Sequence, residues 1–384
     1  MMADYVYLDN AATTFPKPEP VYAIQDKINR TLAVNAGRGS YRASQQATQI
    51  IEDCRSRMAR LAGCREDHLI FAPSATIAMN QIILGLAWDA YKTVYVSPYE
   101  HNAVIRPLHR ICKLHGISLK TLATAADGSL DPKQIAIQFA QQAPDYVFMT
   151  HVSNVTGYIL PLRSVSDIAH NYHALVIADC AQSMGLLNAD LHTLGADFLV
   201  FAAHKTLYGS FGLGGWAARD AQMLSPVICG GTGSDSLNPE MPGEMPGRFE
   251  AASPNIIALA ALDAALKWRD TIAPGEIEAR ERRLSTYLME GLRRNRNIHV
   301  YMTADAATHI AVVSFNHKSY MADELGMILD QDFNIAVRTG YHCAPLVHDM
   351  IGSVSKRGTV RVSISYFTTE ADIDALLDAL RELD

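Results

Sequence analysis

Short apolar runs alternate along the chain with longer segments whose apolar residues recur at helical spacing. Runs of this kind predict parallel strands covered on both faces, because such strands have no polar side, and the segments between them predict connecting helices. The pattern therefore indicates an α/β domain with a largely parallel sheet. The predicted strands are 68–72, 93–96, 145–150, 174–178 and 197–201, and the predicted helices between them include 77–88, 102–115 and 164–172.

The pattern changes after residue 248, and long helices are predicted at 255–269 and 274–294. A smaller α+β unit is then predicted, with a strand at 309–315, a helix, a strand at 359–365 and a closing helix to residue 383. We expect a large domain of residues 15–262 and a small domain formed by residues 1–14 with 263–384. The segment 230–250, rich in glycine, proline and methionine, predicts a surface excursion or a dimer contact.

Composition narrows the class of protein. Lysine and arginine total 33 against 40 acidic residues, a net charge of −7, and no long basic run is present, so nucleic acid is not an expected partner. The start of the chain lacks the basic and apolar segments of a signal peptide, and apolar runs such as 256–266 are too short to span a bilayer. We expect a soluble cytoplasmic protein without membrane partners.

The 6 cysteines are scattered, without a CxxC pair or the cysteine and histidine spacing of a zinc site. Such a distribution predicts reduced thiols and neither a disulfide framework nor a bound metal. Any chemistry carried by a single cysteine must be argued from its own surroundings.

The polar residues that follow two neighbouring predicted strands carry the first chemical signal. Asp179 ends the strand 174–178, and Lys205 follows the strand 197–201 before a glycine-rich bend. Ligands in open α/β sheets bind at the carboxyl ends of strands, where burial lowers the pKa of a lysine. A neutral amine can form an imine, and a carboxylate can pair with a pyridinium nitrogen. Taken singly, Asp179 is equally well explained as a helix cap. A single lysine at a strand end is more often a solvated surface group than a reactive one.

Polar residues at other strand ends are weaker evidence for a ligand site when each is taken singly. Ser74, Ala75 and Thr76 open the helix after strand 68–72, where backbone N–H groups and hydroxyls suit a phosphate, although a plain helix cap explains them as well. His101 and Asn154 follow the next two strands and could stack on a ring or bind a phenolic or carboxylate oxygen. Each could also be a satisfied structural side chain.

An ordered set of motifs spans nearly the whole chain and resembles the class V aminotransferase family. Within it, the set is most similar to the NifS-like cysteine desulfurases and selenocysteine lyases with a compact catalytic loop. The motifs are Tyr7-Leu-Asp-Asn-Ala-Ala-Thr13, Asn35-Ala-Gly-Arg-Gly-Ser40, Glu100-His101, His151-Val-Ser-Asn154, Ala178-Asp-Cys-Ala-Gln182, His204-Lys205, Arg248-Phe-Glu-Ala-Ala-Ser-Pro-Asn255 and Arg338-Thr-Gly-Tyr-His-Cys343.

The resemblance implies the fold of pyridoxal-phosphate transferases of the aspartate aminotransferase type, with pyridoxal 5'-phosphate as cofactor. Lys205 would bind the cofactor as a Schiff base and move the substrate's α-proton, and Cys343 would be the nucleophile that takes sulfur from L-cysteine as a persulfide. The other implied roles are Asp179 at the pyridine nitrogen, Gln182 at the ring hydroxyl, His101 stacked on the ring, Ser74, Ala75, Thr76 and His204 at the phosphate, Ser253 at the phosphate of a partner subunit, and Asn154, Arg338 and Arg361 at the substrate.

Partners follow from the same resemblance. It implies a homodimer with shared sites and a thiol or protein acceptor that receives the sulfur, as in iron–sulfur cluster assembly. L-Selenocysteine presents the same carboxylate and amine as L-cysteine, so a selenocysteine lyase is an open alternative. Another C–S lyase or aminotransferase of the class is a further alternative, although these do not require the cysteine segment.

Two positions depart from the family pattern. Ala202 stands where serine or threonine is usual, and Ala75 replaces the first residue of a Thr-Thr pair. Because two hydroxyl donors are lost, phosphate binding depends on Ser74 and backbone groups. The same departures leave open a non-enzymatic alternative, a sulfur-transfer scaffold. The segment 349–358 also differs from the closest pattern, which leaves the acceptor undetermined.

Overall fold

The computed structural model describes residues 5–37, 39–233, 237–303 and 305–383 of the chain. Strands and helices alternate through the first two thirds of it, as the apolar pattern predicts. The strands are β1 (Val6–Tyr7), β2 (Leu69–Ala72), β3 (Val94–Val96), β4 (Leu119–Thr121), β5 (Tyr146–Thr150), β6 (Leu175–Asp179), β7 (Phe198–Ala202), β8 (Gly214–Ala218), β9 (Ile298–Tyr301), β10 (Val312–His317), β11 (Ile335–Ala336), β12 (Arg338–Gly340) and β13 (Thr359–Ser363). The helices are α1 (Glu19–Thr31), α2 (Arg42–Ala62), α3 (Ala75–Gly85), α4 (Asn102–His115), α5 (Pro132–Gln141), α6 (Leu162–His170), α7 (Leu191–Leu194), α8 (Ile256–Arg269), α9 (Glu276–Arg294), α10 (Ala322–Phe333), α11 (Pro345–Met350) and α12 (Glu370–Glu382).

A seven-stranded sheet in the order β2-β8-β7-β6-β5-β3-β4 forms the centre of the fold. The strands run parallel except β8, which is antiparallel to both of its neighbours. Both faces are buried, since Val147 and Met149 of β5 belong to one apolar cluster and Tyr146 and Phe148 to another. This explains the continuous apolar runs in the sequence. The carboxyl ends of the parallel strands therefore meet at one edge.

Strand β8 is not predicted by the sequence pattern, because its first residues complete a glycine-rich segment that is typical of a turn. A Cβ on Gly214 would lie 2.6 Å from the backbone nitrogen of Ala75, and one on Gly215 would collide with the carbonyl oxygen of Ile70. Only glycine allows β8 to lie this close to β2 and to the start of α3. The glycines thus bring the amino end of α3 to the edge of the sheet.

A second sheet, in the order β12-β13-β10-β9, forms with α9, α10 and α12 a separate apolar cluster. Strand β1 pairs in parallel with β11, with Val6 opposite Ile335, and so joins the beginning of the described chain to this second unit. The predicted domain limits at residues 14 and 262 stay predictions, and residues 1–4 lie outside the described part.

The described portions of the predicted excursion, 230–233 and 237–250, contain turns and irregular backbone and are largely exposed; residues 234–236 lie outside the described part. None of the helices in the described ranges combines the length and the apolar content needed to cross a membrane.

A buried carboxyl group in α9 makes the stability of this fold depend on pH. Glu281 accepts a hydrogen bond from the Tyr208 hydroxyl at 3.1 Å, and burial raises the pKa of Glu281 from 4.5 to about 8. The folded chain therefore keeps a proton that the unfolded chain loses above pH 4.5. The stability that the neutral carboxyl contributes is complete below pH 4.5 and is lost as the pH rises towards 8.

We expect Glu281→Gln to flatten the decline in the free energy of unfolding between pH 5 and 8, because glutamine keeps an acceptor for Tyr208 and does not titrate. Denaturant unfolding at several pH values measures this. Glu290→Gln, at an exposed position on the same helix, is the matched control and should leave the decline unchanged. Parallel pH profiles for Glu281→Gln and the unmodified chain would contradict the assignment.

Candidate active site

The carboxyl ends of β2, β5, β6 and β7 border a cavity of about 270 Å³, here called the inner cavity. It contains every site residue predicted from the sequence except Ser253. The residues that line it are Ala11, Ala12, Ser74, Ala75, Thr76, His101, Ala103, Thr150, Asn154, Asp179, Ala181, Gln182, Ala202, His204, Lys205, Arg338, His342, Cys343 and Arg361.

Lys205 and Asp179 lie in the same wall because β6 and β7 are neighbouring parallel strands. Burial lowers the pKa of Lys205 to about 8, opposed by the negative charge of Asp179 and assisted by the positive charges of Arg361 and Arg338. Burial also raises the pKa of Asp179, whose Oδ1 accepts from the Ala181 amide at 2.9 Å. An amine with this pKa is neutral in about a quarter of molecules at pH 7.5 and can act as a base or nucleophile there.

A second carboxyl group, Glu100, is fully buried near Asp179. The sequence does not reveal this burial. Its Oε1 is 2.5 Å from the Ser97 hydroxyl and accepts from the Thr150 amide at 2.6 Å. Burial raises the pKa of Glu100 to about 8, and the negative charge of Asp179 raises it further. The negative charge that acts on Lys205 is that of Asp179.

His101 combines a structural and a site position. Its Nδ1 accepts a hydrogen bond from the Ala103 amide at 3.0 Å and so caps α4. Burial lowers the pKa of the ring to about 3, with a further decrease from the charge of Lys205. The ring is therefore neutral, with its proton on Nε2, and its face and Nε2–H remain for a ligand in the inner cavity.

An anion could be held at the amino end of α3. The Ser74 hydroxyl oxygen accepts from the Ile77 amide at 3.2 Å, which leaves the hydroxyl proton free to be donated. Thr76 adds a second hydroxyl, and His204 adds a buried Nδ1 that has no hydrogen-bond partner among the described residues. Burial lowers the pKa of His204 to about 3, so its ring is neutral. The alanines at 75 and 202 line the cavity but offer it no hydroxyl.

Ala11 and Ala12, in the segment from Tyr7 to Thr14, also line the inner cavity. The Gln182 side-chain amide donates to the Ala11 carbonyl at 2.8 Å, which leaves the Gln182 carbonyl oxygen to meet a ligand donor. Asp9 forms an ion pair with Arg361, with 2.6 Å between Oδ1 and Nη2. Asp9 belongs to the first sequence motif, which points to this segment but does not predict the ion pair with Arg361.

Two arginines stand opposite each other across the antiparallel pair β12 and β13, where Arg338 is in register with Arg361. Like charges directly opposite each other are destabilising, and Asp9 offsets the charge of Arg361. Arg361 is 1% exposed, donates to the Asn154 carbonyl at 3.0 Å and leaves its Nε without a described partner. Because both guanidinium groups line the inner cavity, it is suited to a carboxylate ligand.

Cys343 lies in the turn after β12, with an exposed side chain. His342 and Cys343 both have left-handed backbone, with φ of 47° and 57°, which costs of order 1–3 kcal/mol at each non-glycine residue. The conformation is held because the Asn154 side-chain amide donates to the His342 carbonyl at 2.7 Å and the Asn102 amide donates to the Cys343 carbonyl at 2.6 Å. The Cys343 thiol lies 3.8 Å from Nη2 of Arg338.

Ser253 is the predicted site residue that the structure places elsewhere. It follows Ala252, which has φ of 78°, in an exposed segment before α8. Its expected contact is with a second copy of the chain, so its role stays a prediction.

The fold is similar to that of solved cysteine desulfurases. A cysteine desulfurase from Thermococcus onnurineus superposes with a TM-score of 0.92 at 30% identity, covering 99% of this chain and 94% of that one. The fold also matches the cysteine desulfurase CsdA from Escherichia coli, with a TM-score of 0.86 at 24% identity over 100% of this chain and 95% of the other. The predicted α/β transferase fold is confirmed.

Sequence comparisons agree over the same length. A probable cysteine desulfurase of Pyrococcus abyssi is 31% identical over 99% of this chain and 94% of its own length. A probable cysteine desulfurase of Methanothermobacter thermautotrophicus is 29% identical over 100% of this chain and 96% of its own. The model of the aminotransferase class V family matches residues 6–376. The resemblance stated from the motifs is confirmed, and the chain belongs to the class V aminotransferase family.

Proposed function

We propose that this chain is a pyridoxal-phosphate-dependent cysteine desulfurase that converts L-cysteine to L-alanine and holds the sulfur on Cys343. One observation carries the proposal: Lys205, Asp179, Cys343 and the pair Arg338 and Arg361 line a single cavity. The inner cavity thus joins a reactive amine, a thiol and a site for a carboxylate. Relatives that match end to end and bear the name cysteine desulfurase support the same activity.

The residues of the inner cavity fit the cofactor of this family, pyridoxal 5'-phosphate. Asp179 is a buried carboxylate suited to a pyridinium nitrogen, and His204 has a buried ring nitrogen without a described partner beside the hydroxyls of Ser74 and Thr76. Backbone amides at the start of α3 offset the missing hydroxyls at positions 75 and 202. When bound, the cofactor supplies an electron sink that stabilises negative charge at the substrate α-carbon.

The remaining roles belong to side chains of the chain itself. Arg361 and Arg338 hold the substrate carboxylate, and Nζ of Lys205, with a pKa of about 8, moves the α-proton. The Cys343 thiolate attacks the substrate sulfur, an S–S bond forms and the C–S bond breaks, and the carbon fragment leaves as alanine after protonation. Nη2 of Arg338 lies 3.8 Å from the Cys343 sulfur.

Mass spectrometry of the protein after exposure to L-cysteine tests the proposal. We expect one extra sulfur atom on Cys343, removed by reductant, with at least an equal amount of alanine formed. Cys343→Ser should carry no extra sulfur and form alanine at a rate lowered by about 1000-fold, the scale of losing a nucleophile. Cys229→Ser, a second exposed cysteine, is the matched control and should load normally.

An unmodified Cys343 with no alanine would overturn the proposal. Turnover of L-selenocysteine alone, surviving in Cys343→Ser, would identify a selenocysteine lyase instead. A chain that binds neither cofactor nor cysteine yet accepts sulfur from another enzyme would be a transfer scaffold.

The larger assembly is part of the same proposal. We place Ser253 at the phosphate of a partner subunit in a homodimer. The exposed Leu237 in the nearby excursion, and the exposed Val227 and Ile228 just before it, support this assembly. The cell compartment is the cytoplasm, and the sulfur serves a thiol or protein acceptor such as one in iron–sulfur cluster assembly. The chain divides into the large domain of residues 15–262 and the small domain of 1–14 with 263–384.

A further inference from the structure

A second and larger cavity adjoins the inner cavity at the cysteine loop. This outer cavity has a volume of about 620 Å³, and Cys343, Arg338 and His342 line both it and the inner cavity. The residues around it are Asn102, Arg106, Arg338, Thr339, Tyr341, His342, Cys343, Pro345, His348, Asp349 and Val354. The thiol of Cys343 therefore borders two separate spaces, and the proposed desulfurase reaction uses only the inner one.

Two arginines and one aspartate line the outer cavity, so its charged side chains are positive on balance. Arg106 and Arg338 have no carboxylate within ion-pair distance among the described residues, and Asp349 is the acidic residue of the lining. Arg106 is one helical turn beyond Asn102, whose amide donates to the Cys343 carbonyl at 2.6 Å. Residues one turn apart share a helix face, so Arg106 stands on the face of α4 that holds the cysteine loop.

Two buried imidazoles add unpartnered ring nitrogens to the lining. His342 is 3% exposed and His348 is 1% exposed, and their ring centroids lie 5.7 Å apart. Nε2 of His342 is 3.1 Å from the Thr359 carbonyl oxygen, which can only accept, so Nε2 carries the proton. Nδ1 of His342 is then a bare acceptor, buried and without a described partner. A buried acceptor of this kind indicates a missing donor.

We propose that the outer cavity binds a small thiol that carries a carboxylate and that this thiol removes the sulfur from Cys343. Arg106 holds the carboxylate, and Nδ1 of His342 accepts a hydrogen bond from the thiol. The assignment rests on the proposed persulfide at Cys343 and adds the chemical class of its acceptor. Cysteine then binds in the inner cavity and the acceptor in the outer cavity, and the Cys343 loop separates the two.

The transfer balances without an oxidant or reductant. The acceptor thiolate attacks the outer sulfur of the Cys343 persulfide, a new S–S bond forms on the acceptor, and the S–S bond to Sγ breaks. The electron pair returns to Sγ, and the proton released by the acceptor thiol restores the Cys343 thiol. The acceptor leaves as a persulfide, and the enzyme is ready for another cysteine.

Discharge of a preformed persulfide tests the site separately from its loading. The protein is incubated with cofactor and L-cysteine, freed of small molecules by gel filtration, and assayed by mass spectrometry for the extra sulfur. Loaded protein is then mixed with 3-mercaptopropionate, 2-mercaptoethanol or cysteamine, which are anionic, neutral and cationic thiols of similar size. Loss of the extra sulfur is followed in the unmodified chain, in Arg106→Glu and in Arg110→Glu, the last an exposed arginine one turn further on α4 and outside the cavity lining.

We expect Arg106→Glu to slow discharge by 3-mercaptopropionate by about tenfold, the scale of a lost charge contact, and to leave discharge by cysteamine unchanged or faster. Arg110→Glu should change each rate less than twofold. Equal effects of Arg106→Glu on all three thiols would overturn the site, as would a loaded persulfide that none of them discharges. Failure to load at all would instead contradict the proposed function.

Discussion

Replacing Lys205 with arginine is expected to lower alanine formation from cysteine by roughly 1000-fold, the scale of a lost proton-transfer group. Arginine keeps the positive charge and the approximate length of the side chain. Its guanidinium group, however, does not release a proton in the physiological range, whereas burial sets the pKa of Lys205 at about 8. Steady-state alanine production measures the effect, and the temperature of unfolding verifies that the fold is retained.

The matched control is Lys17→Arg. Nζ of Lys17 donates to the Thr14 hydroxyl and the His204 carbonyl, each at 2.6 Å, and burial lowers the pKa of Lys17 to about 7, yet this residue does not line the inner cavity. We expect Lys17→Arg to retain activity within a few-fold. If both substitutions lowered activity equally, a general effect on the wall near His204 would explain the loss and the specific role of Lys205 would be wrong.

Replacing Arg361 with methionine should lower kcat/KM for cysteine by about 100-fold, mainly through KM, because a buried charged contact to the carboxylate is lost. The substitution also leaves Asp9 without its cation and the Asn154 carbonyl without a donor. Arg361→Lys should recover only part of the loss, since an ammonium group cannot make the two-pronged contact of a guanidinium. Initial rates over a range of cysteine concentrations separate KM from kcat.

Asp9→Asn separates substrate binding from structural support. It removes the ion pair but keeps Arg361, so we expect a smaller rise in KM than for Arg361→Met. A KM that is unchanged in Arg361→Met would rule out the carboxylate role. A larger effect of Asp9→Asn would show that the pair acts by positioning the segment from Tyr7 to Thr14.

The cofactor side of the inner cavity could be predicted from the sequence because its residues follow their own strands directly. Asp179 and Lys205 each end a continuous apolar run, and neighbouring parallel strands bring such ends together whatever the details of packing. The same local reasoning located α4 at its observed bounds, Asn102–His115. Element ends elsewhere moved by a few residues, for example α3, which begins at Ala75 rather than at residue 77.

The substrate side could not be predicted in the same way, because it depends on pairing between distant segments. The register of Arg338 with Arg361 follows from how β12 meets β13, and no periodic pattern encodes it. Strand β8 was missed because the close approach that requires Gly214 and Gly215 is a property of the assembled sheet. The raised pKa of Glu100 likewise depends on burial that three separate segments create.

The parallel pairing of β1 with β11 fixes the order in which the enzyme can be assembled during synthesis. The wall that contains Lys205, Asp179 and the start of α3 is complete once the chain has been made as far as Ala218. Asp9 can form its ion pair only after Arg361 has been synthesised, and Val6 can pair only after Ile335 has been synthesised. The substrate side of the cavity therefore forms only when most of the chain has left the ribosome. Contacts between residues this distant in sequence form slowly. The nascent protein therefore acquires its cofactor wall before its substrate wall.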